Sequence, residues 1–215
     1  MHVVVVASQK GGAGKSTLCA NIAVSIEATG DGPVVLLDAD PQGTLTAWWN
    51  AREASTPALT TIRTLSELPD RLAALRGAGV KYVVIDTPPS ATKSIASVVT
   101  HADLVLIPVR PSPNDLRAAG QTIDIVNEAD KPFLFCITQA KPATKLTAQT
   151  IAVLSAHGEV VPALIGDRVD FAASMVDGRT VLEFAPKGKS TKEINELSSF
   201  VKKRINELTK KKAKK

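Results

Sequence analysis

The 215-residue chain has only two cysteines and three histidines, and that scarcity removes several kinds of chemistry at the outset. Cys19 falls within a helical pattern and Cys136 within an apolar run, so both are expected in the core rather than in a disulfide, metal pair or cluster. His101 and His157 show no metal-ligand spacing and read as structural. No apolar run approaches the ~20 residues needed to span a bilayer, and no signal-type charged region precedes the first apolar run. The expectation is a cytosolic protein. No repeat or low-complexity segment occurs ahead of the C-terminal lysines. With 44% hydrophobic residues, the chain has enough apolar content for one well-buried core. That core is expected over residues 1–209, followed by a basic tail at 210–215.

What the sequence does contain is a series of short, nearly continuous apolar runs: Val3–Ala7, Val34–Leu37, Tyr82–Ile85, Leu104–Val109 and Phe133–Ile137, with a weaker one at Val160–Ala163. Such runs suit strands covered on both faces. Helical spacing lies between them, in Leu65, Leu68, Leu72 and Leu75, in Ile123 and Val126, and in Leu146, Ile151 and Leu154. Alternating strands and helices with right-handed crossovers predict a doubly wound α/β domain. Its mostly parallel sheet carries helices on both faces and binds ligands at the carboxyl ends of its strands. Pro108, Pro111 and Pro113 predict a stiff loop at Arg110–Asn114 on that side.

The first run leads directly into Lys10-Gly11-Gly12-Ala13-Gly14-Lys15-Ser16-Thr17. Glycines between a strand and a helix let backbone N–H groups converge on a polyphosphate while the positive end of the helix faces it. In such a loop Lys15 reaches the β- and γ-phosphates, Ser16 holds Mg²⁺ and Thr17 lies near the α-phosphate. The usual pattern wants a glycine where this chain has Gln9. The strand before, and a helix running through Leu18, Ile22, Ala23 and Ile26 to a stop at Gly30, support the assignment. Asp86 ends one apolar strand, where a carboxylate can orient a Mg²⁺-bound water. Asp38 and Asp40 follow another strand, and either is placed to hold a water.

Charge is unevenly distributed. Residues 187–215 carry eleven Lys and Arg against three Glu, a net +8 that leaves −3 for the rest of a chain whose total is +5. A basic end on an acidic body suggests an anionic polymer or surface as partner.

Together these segments resemble the ParA/MinD family of deviant Walker A ATPases. Lys10–Thr17 is similar to the family's phosphate loop, Val35–Gly43 to its second acidic motif, and Val83–Pro89 to its Walker B strand. Ala102–Val109 with Pro111–Leu116 resembles the strand and proline-rich loop of the short, ParF-like partition members. Ser174–Glu183, with Gly178, Thr180-Val181 and Phe184, is similar to their late Gly-x-x-Val-Phe/Glu segment. The resemblance covers roughly residues 1–208 in motif order. It implies ATP and Mg²⁺ as cofactors, with Lys10 as a signature lysine reaching the partner subunit's ATP in a nucleotide-dependent homodimer. Lys15 and Ser16 keep their local roles, and Gly11, Gly12, Ala13, Gly14 and Thr17 complete the loop. Asp86 acts on Mg²⁺ through water, Asp38 supports a Mg²⁺-bound water, and Asp40 positions the attacking water. Gln139, beside Thr138, and Asp167, in the stretch Asp167–Phe171, match the adenine-binding places. Hydrolysis is expected to be slow until a ParB-like adaptor accelerates it. The chain starts at its first strand, so operator binding through an N-terminal helix-turn-helix is not expected.

Two surfaces compete. A partition ATPase binds DNA non-specifically and is nucleoid-associated, with candidate contacts Lys202, Lys203, Arg204, Lys210, Lys211 and Lys212, then Arg179, Lys187 and Lys189. A MinD-like switch instead lays an amphipathic C-terminal helix on the membrane, and Ile194, Leu197, Val201, Ile205 and Leu208 have the spacing for it. The same stripe also suits a packed final helix, it lacks Trp, and the late motifs favour the partition branch. Trp48-Trp49 offers a partner contact, although core packing of at least one indole is the expected use. Reductase chemistry lacks suitably placed cysteines, and a ligase needs substrate-binding room that the chain hardly has. Lys10→Ala is expected to leave nucleotide binding by the monomer largely intact while abolishing ATP-dependent dimerisation and turnover. Lys15→Ala should impair nucleotide binding itself, and titration calorimetry beside sedimentation velocity separates the two effects.

Overall fold

The computed structural model describes residues 1–89 and 92–213, with Lys212 described by its backbone alone. The Lys212 side chain, Lys214 and Lys215 of the basic end therefore lie outside the described residues. Six strands form one all-parallel sheet: β1 (His2–Val6), β2 (Val34–Asp38), β3 (Ala58–Thr61), β4 (Tyr82–Asp86), β5 (Leu104–Val109) and β6 (Phe133–Ile137). They lie in the order β3-β2-β4-β1-β5-β6. Nine helices occur among the described residues: α1 (Lys15–Ala28), α2 (Thr44–Asn50), α3 (Leu68–Gly77), α4 (Thr92–Val99), α5 (Pro113–Glu128), α6 (Lys145–Ser155), α7 (Val169–Ser174), α8 (Val181–Phe184) and α9 (Lys189–Lys212).

The continuous apolar runs are explained by burial on both faces, since successive side chains of a strand point to opposite sides. Val4, Val6, Leu36 and Val84 face Leu18 and Ile22 of α1 and Ile194, Leu197 and Val201 of α9. Val3, Val5, Val83 and Ile85 face α3, α4 and α5 through Leu68, Leu72, Ile95, Val98, Ile123 and Val126. The doubly wound architecture is thus the expected one. Ala28 ends α1, and Gly30, at φ 76°, turns the chain out of it.

Four local expectations are corrected. The run at 160–163 forms no strand: Val160 makes an isolated bridge to Phe135, and Pro162 then has no N–H with which to extend a ladder. The edge strand β3 lacked a recognisable run because its Ala-Leu-Thr-Thr is only partly covered. Leu146, expected on a core face, lies in the first turn of α6 and is 43% exposed. The proline-rich loop ends sooner than Asn114, because Ser112 caps α5 by accepting from the Asp115 N–H at 3.1 Å. Pro113 then occupies the first helical turn, where no N–H is needed. Pro108 belongs to β5, beyond the stretch that pairs with β1, so its missing N–H costs no bond on that side.

The C-terminal stripe is a packed face. Ile194, Leu197, Val201 and Ile205 are buried against the sheet face that α1 covers, and Leu208 is half-buried there. An apolar face occupied in this way is not available to a bilayer. The helix continues through Lys212, so Lys210 and Lys211 extend it by exposed turns. Trp48 is 3% exposed and donates to the Arg179 carbonyl at 2.9 Å, while Trp49 donates to the Pro57 carbonyl at 2.8 Å. Both indoles are structural. Leu197→Ala should cost about 2–5 kcal/mol of stability, read as a lower urea midpoint. Replacement of the exposed Lys203 by Ala should stay within about 0.5 kcal/mol.

Candidate functional site

At the carboxyl end of β1 the chain leaves the sheet and enters α1 through Gly14, whose φ of 89° is strained for any residue with a side chain. Among the described residues, none of the backbone N–H groups from Gly11 to Thr17 donates to a protein acceptor. The loop is therefore a row of open donors at a helix N-terminus, the arrangement a polyanion completes. Side chains fix its shape. Gln139 Nε2 donates to the Gly12 carbonyl at 2.9 Å, Thr138 Oγ1 to the Ala13 carbonyl at 3.0 Å, and the Lys10 N–H to Ser8 Oγ at 3.2 Å. Gln9 donates through its amide nitrogen to Thr92 Oγ1 at 3.2 Å, which gives the residue in the missing glycine's place a structural use.

The acidic residues converge through strand register. Asp86 ends β4 opposite Val6 of β1 on one side and Asp38 of β2 on the other. It is fully buried, and neither carboxylate oxygen has a hydrogen-bond partner among the described residues. Burial pushes its pKa up to about 7, with Asp38 and Asp40 adding to the rise while the Ser16 hydroxyl and Lys15 oppose it. An orphaned buried carboxylate beside a hydroxyl and a buried lysine fits a hydrated divalent cation, which would give those oxygens their missing donors. Asp38 is differently engaged. It accepts from the Asp40 N–H at 3.1 Å, the Thr46 N–H at 2.9 Å and Thr46 Oγ1 at 2.6 Å, so it first anchors the start of α2. Asp40 is half-buried and accepts from the Gln42 N–H at 3.0 Å, which leaves its second oxygen open.

The two stretches expected around a base meet in one cavity of about 370 Å³. Gly14, Thr17, Gln139, Asp167, Arg168 and Phe171 are among its lining residues, so it runs into the phosphate loop. Backbone bonds from the Ala140 N–H to the Ile165 carbonyl and from the Asp167 N–H to the Ala140 carbonyl, each 2.9 Å, hold the stretches together.

The basic candidates separate into two groups. Lys202 is paired with Asp31 at 2.7 Å, Arg204 with Glu159 and Glu207 at 3.3 Å each, and Arg179 with Asp177 at 2.7 Å. Each is already held by a carboxylate, which lowers its availability for a second anion. Lys187, Lys189, Lys203, Lys210 and Lys211 are exposed and have no ion pair among the described residues. Lys187 and Lys203 line a groove of about 630 Å³ along α9 together with Lys192, which sequence reasoning passed over and whose ammonium lies 4.0 Å from Glu196 at the exposed limit of an ion pair.

Two further groups were missed. Arg52 donates to Glu183 and to the Gly178 carbonyl, tying α2 to the late segment across a separation no local pattern reveals. Gly178 has φ 76° there, and a Cβ on it would lie 2.3 Å from the Arg52 backbone. The second group is Arg110, Ser112 and Asp115 beside the phosphate loop. Its one legible signal was the Ser-x-x-Asp capping pattern ahead of α5.

The family model of the CobQ/CobB/MinD/ParA nucleotide binding domain matches residues 4–181. The chain is 34% identical over 210 residues to a maintenance of carboxysome distribution protein A from Halothiobacillus neapolitanus, covering 91% of this chain and 94% of that protein. It is 27% identical over 241 residues to the chromosome-partitioning ATPase Soj of Thermus thermophilus, covering 95% and 96%. Among solved structures, the MinC:MinD cell division protein complex of Aquifex aeolicus matches with a TM-score of 0.79 at 19% identity, covering 94% of this chain and 96% of that one. That last similarity is one of fold.

The raised pKa of Asp86 has a defined sign. The native carboxyl holds its proton up to about pH 7, whereas the unfolded one releases it near 4. The stability this contributes is complete at low pH and is lost as pH rises through 7. In metal-free buffer, Asp86→Asn should therefore be more stable than the parent at pH 8, by on the order of 1–3 kcal/mol. The difference should vanish near pH 4, as calorimetric melting across that range would show.

Proposed function

The chain belongs to the CobQ/CobB/MinD/ParA nucleotide-binding family, and from that premise we propose that it is a ParA-type positioning ATPase that dimerises on ATP and binds DNA without sequence preference. The observation that carries the catalytic half is the buried, unpartnered Asp86 carboxylate beside Lys15, Ser16 and the open N–H groups of the loop. Ser16, and Asp86 through water, are the residues to hold Mg²⁺, which supplies charge neutralisation across the phosphate oxygens. Gly11–Thr17 donate their N–H groups to the phosphates, and Lys15 adds the charge that offsets them. Asp40, with its second oxygen open, orients the attacking water, while Asp38 holds the acidic loop and α2 in place. Lys10 reaches the ATP of a second subunit. Thr17 lies near the α-phosphate, and Gln139 and Asp167 enclose the base.

On this reading residues 1–209 are one ATPase domain. DNA is held along α9, through Lys187, Lys192, Lys203 and the exposed turns at Lys210 and Lys211. These are lysines on a solvent face, suited to sequence-independent phosphate contacts. Release follows hydrolysis, which a ParB-like adaptor accelerates. The relatives include a carboxysome distribution protein as well as a chromosome-partitioning ATPase. Both fit a nucleoid-associated ATPase whose cargo is chosen by its adaptor. The membrane alternative loses its support because the stripe that suggested it is packed inside.

Fluorescence anisotropy with a random duplex is expected to show binding with ATP or its slowly hydrolysed analogue, and little with ADP. Affinity should fall steeply with salt. The double variant Lys187→Glu with Lys203→Glu should weaken binding at least tenfold and lower the log–log salt slope by about two per subunit. Equal binding with ADP, or indifference to salt, would sink the DNA reading. ATP-dependent pelleting with anionic liposomes would transfer the weight to a membrane.

A further inference from the structure

A second cation flanks the phosphate loop. Arg110 leaves the end of β5, the strand next to β1. Its Nε and NH2 grip Asp115 at 2.8 and 3.2 Å, and Ser112 Oγ donates to the same carboxylate at 2.5 Å. Asp115 is only 4% exposed and lies in the first turn of α5, so this fork is anchored in the fold rather than on a mobile surface. Burial alone would raise the Asp115 pKa. The hydrogen bonds from Arg110 and Ser112, with the charges of Arg110 and Lys10, hold it below the usual carboxylate range instead. One buried carboxylate therefore lies in the field of two cations at the loop. The remaining guanidinium nitrogen, NH1, has no partner among the described residues. It lies where a Cβ on Gly12 would be 3.6 Å away.

The direction of the site identifies what this nitrogen meets. The base cavity reaches the loop at Gly14 and Thr17, and neither Gly12 nor Arg110 is part of its lining. A nucleotide with its base in that cavity runs its phosphates away from it, toward Gly12 and Gly11. The group farthest from the base comes nearest to NH1. A bidentate Arg–carboxylate pair fixes the plane of a guanidinium that cannot lose its proton, so NH1 is a preorganised donor needing no rearrangement.

We propose that Arg110, held by Asp115, donates through NH1 to the terminal phosphate of the bound nucleoside triphosphate and so sets the preference of the loop for triphosphate over diphosphate. The proposal deepens, and rests on, the nucleotide-binding reading of the loop. Asp115 is a positioning residue and touches no phosphate. A charged hydrogen bond present with one nucleotide and absent with the other corresponds to roughly a tenfold or greater difference in affinity.

The test is titration calorimetry of the full chain with Mg²⁺ and either ATPγS or ADP, at concentrations where sedimentation velocity shows a monomer. Arg110→Gln is expected to weaken ATPγS at least tenfold and ADP less than twofold. Asp115→Asn should lower the same ratio by a smaller factor, a change that a merely structural role would not produce. If Arg110→Gln does not fold, Arg110→Lys carries the test, since it keeps the charge and loses the fork. An unchanged ratio, or a parallel loss for both nucleotides, overturns the proposal while leaving the nucleotide reading intact. A parent chain that binds neither nucleotide overturns both.

Discussion

The arrangement on which the site depends is the parallel register of β1, β4 and β2, which places Asp86 between Val6 and Asp38 at the carboxyl end of the buried centre of the sheet. An ionised carboxylate in such surroundings, without a donor on either oxygen, is costly, and the carboxyl responds by holding its proton to about pH 7. What offsets the cost is local. Lys15 is itself buried, and the N-terminal end of α1 adds partial positive charge at the same place. Among the described residues the site is thus a set of unmet demands, with open N–H donors on the loop and open acceptors on Asp86. One ligand carrying phosphate oxygens and a hydrated cation satisfies both.

Much of this was legible because it is local. The strand before the loop, the glycines within it and the helix after it announce themselves by spacing, and Asp86 is marked by the apolar run it ends. β2, β4, β5 and β6 were readable because strands buried on both faces need continuous apolar residues. β3 was not, because an edge strand can tolerate Thr60 and Thr61, and Val160, Val161 and Ala163 made the run at 160–163 look strand-like although Pro162 interrupts its hydrogen bonding. The anchoring of α2 by Asp38 was not legible either. It depends on whether Thr46 turns back onto the first carboxylate, which only the path of the chain into α2 determines. Among the basic residues, sequence counts charges but does not reveal partners. Asp31 and Glu159, distant in sequence, are what engage Lys202 and Arg204.

Short α2 shows how the acidic loop is made rigid. Asp38 holds its first turn through Thr46, and beyond its other end Arg52 grips Glu183 and the Gly178 carbonyl, while the Trp48 indole donates to the Arg179 carbonyl. Seven residues would be marginal as an isolated helix. The side-chain hydrogen bonds at both ends account for its persistence, and they join the acidic loop to the late segment as one packed unit. Gly178 allows the close approach, because any side chain there would collide with the Arg52 backbone. The glycine of the late Gly-x-x-Val segment thus has a packing reason of its own.

The final helix carries opposite demands on its different faces. Inward, Ile194, Leu197, Val201 and Ile205 fill the core beside α1. Toward the base cavity, Glu193 holds Arg168 and accepts from the Gly166 N–H at 3.0 Å, so α9 also braces the cavity wall. Outward, Lys192 and Lys203 line the basic groove. Residues 1–186 sum to −3 and residues 187–215 to +8, so this lysine face is where the positive charge of the chain is concentrated. The charge distribution therefore does more than permit an anionic partner. It concentrates positive charge along a helix whose other faces hold the core and the wall of the candidate cavity, so the lysine face and the candidate nucleotide site are supported by the same element.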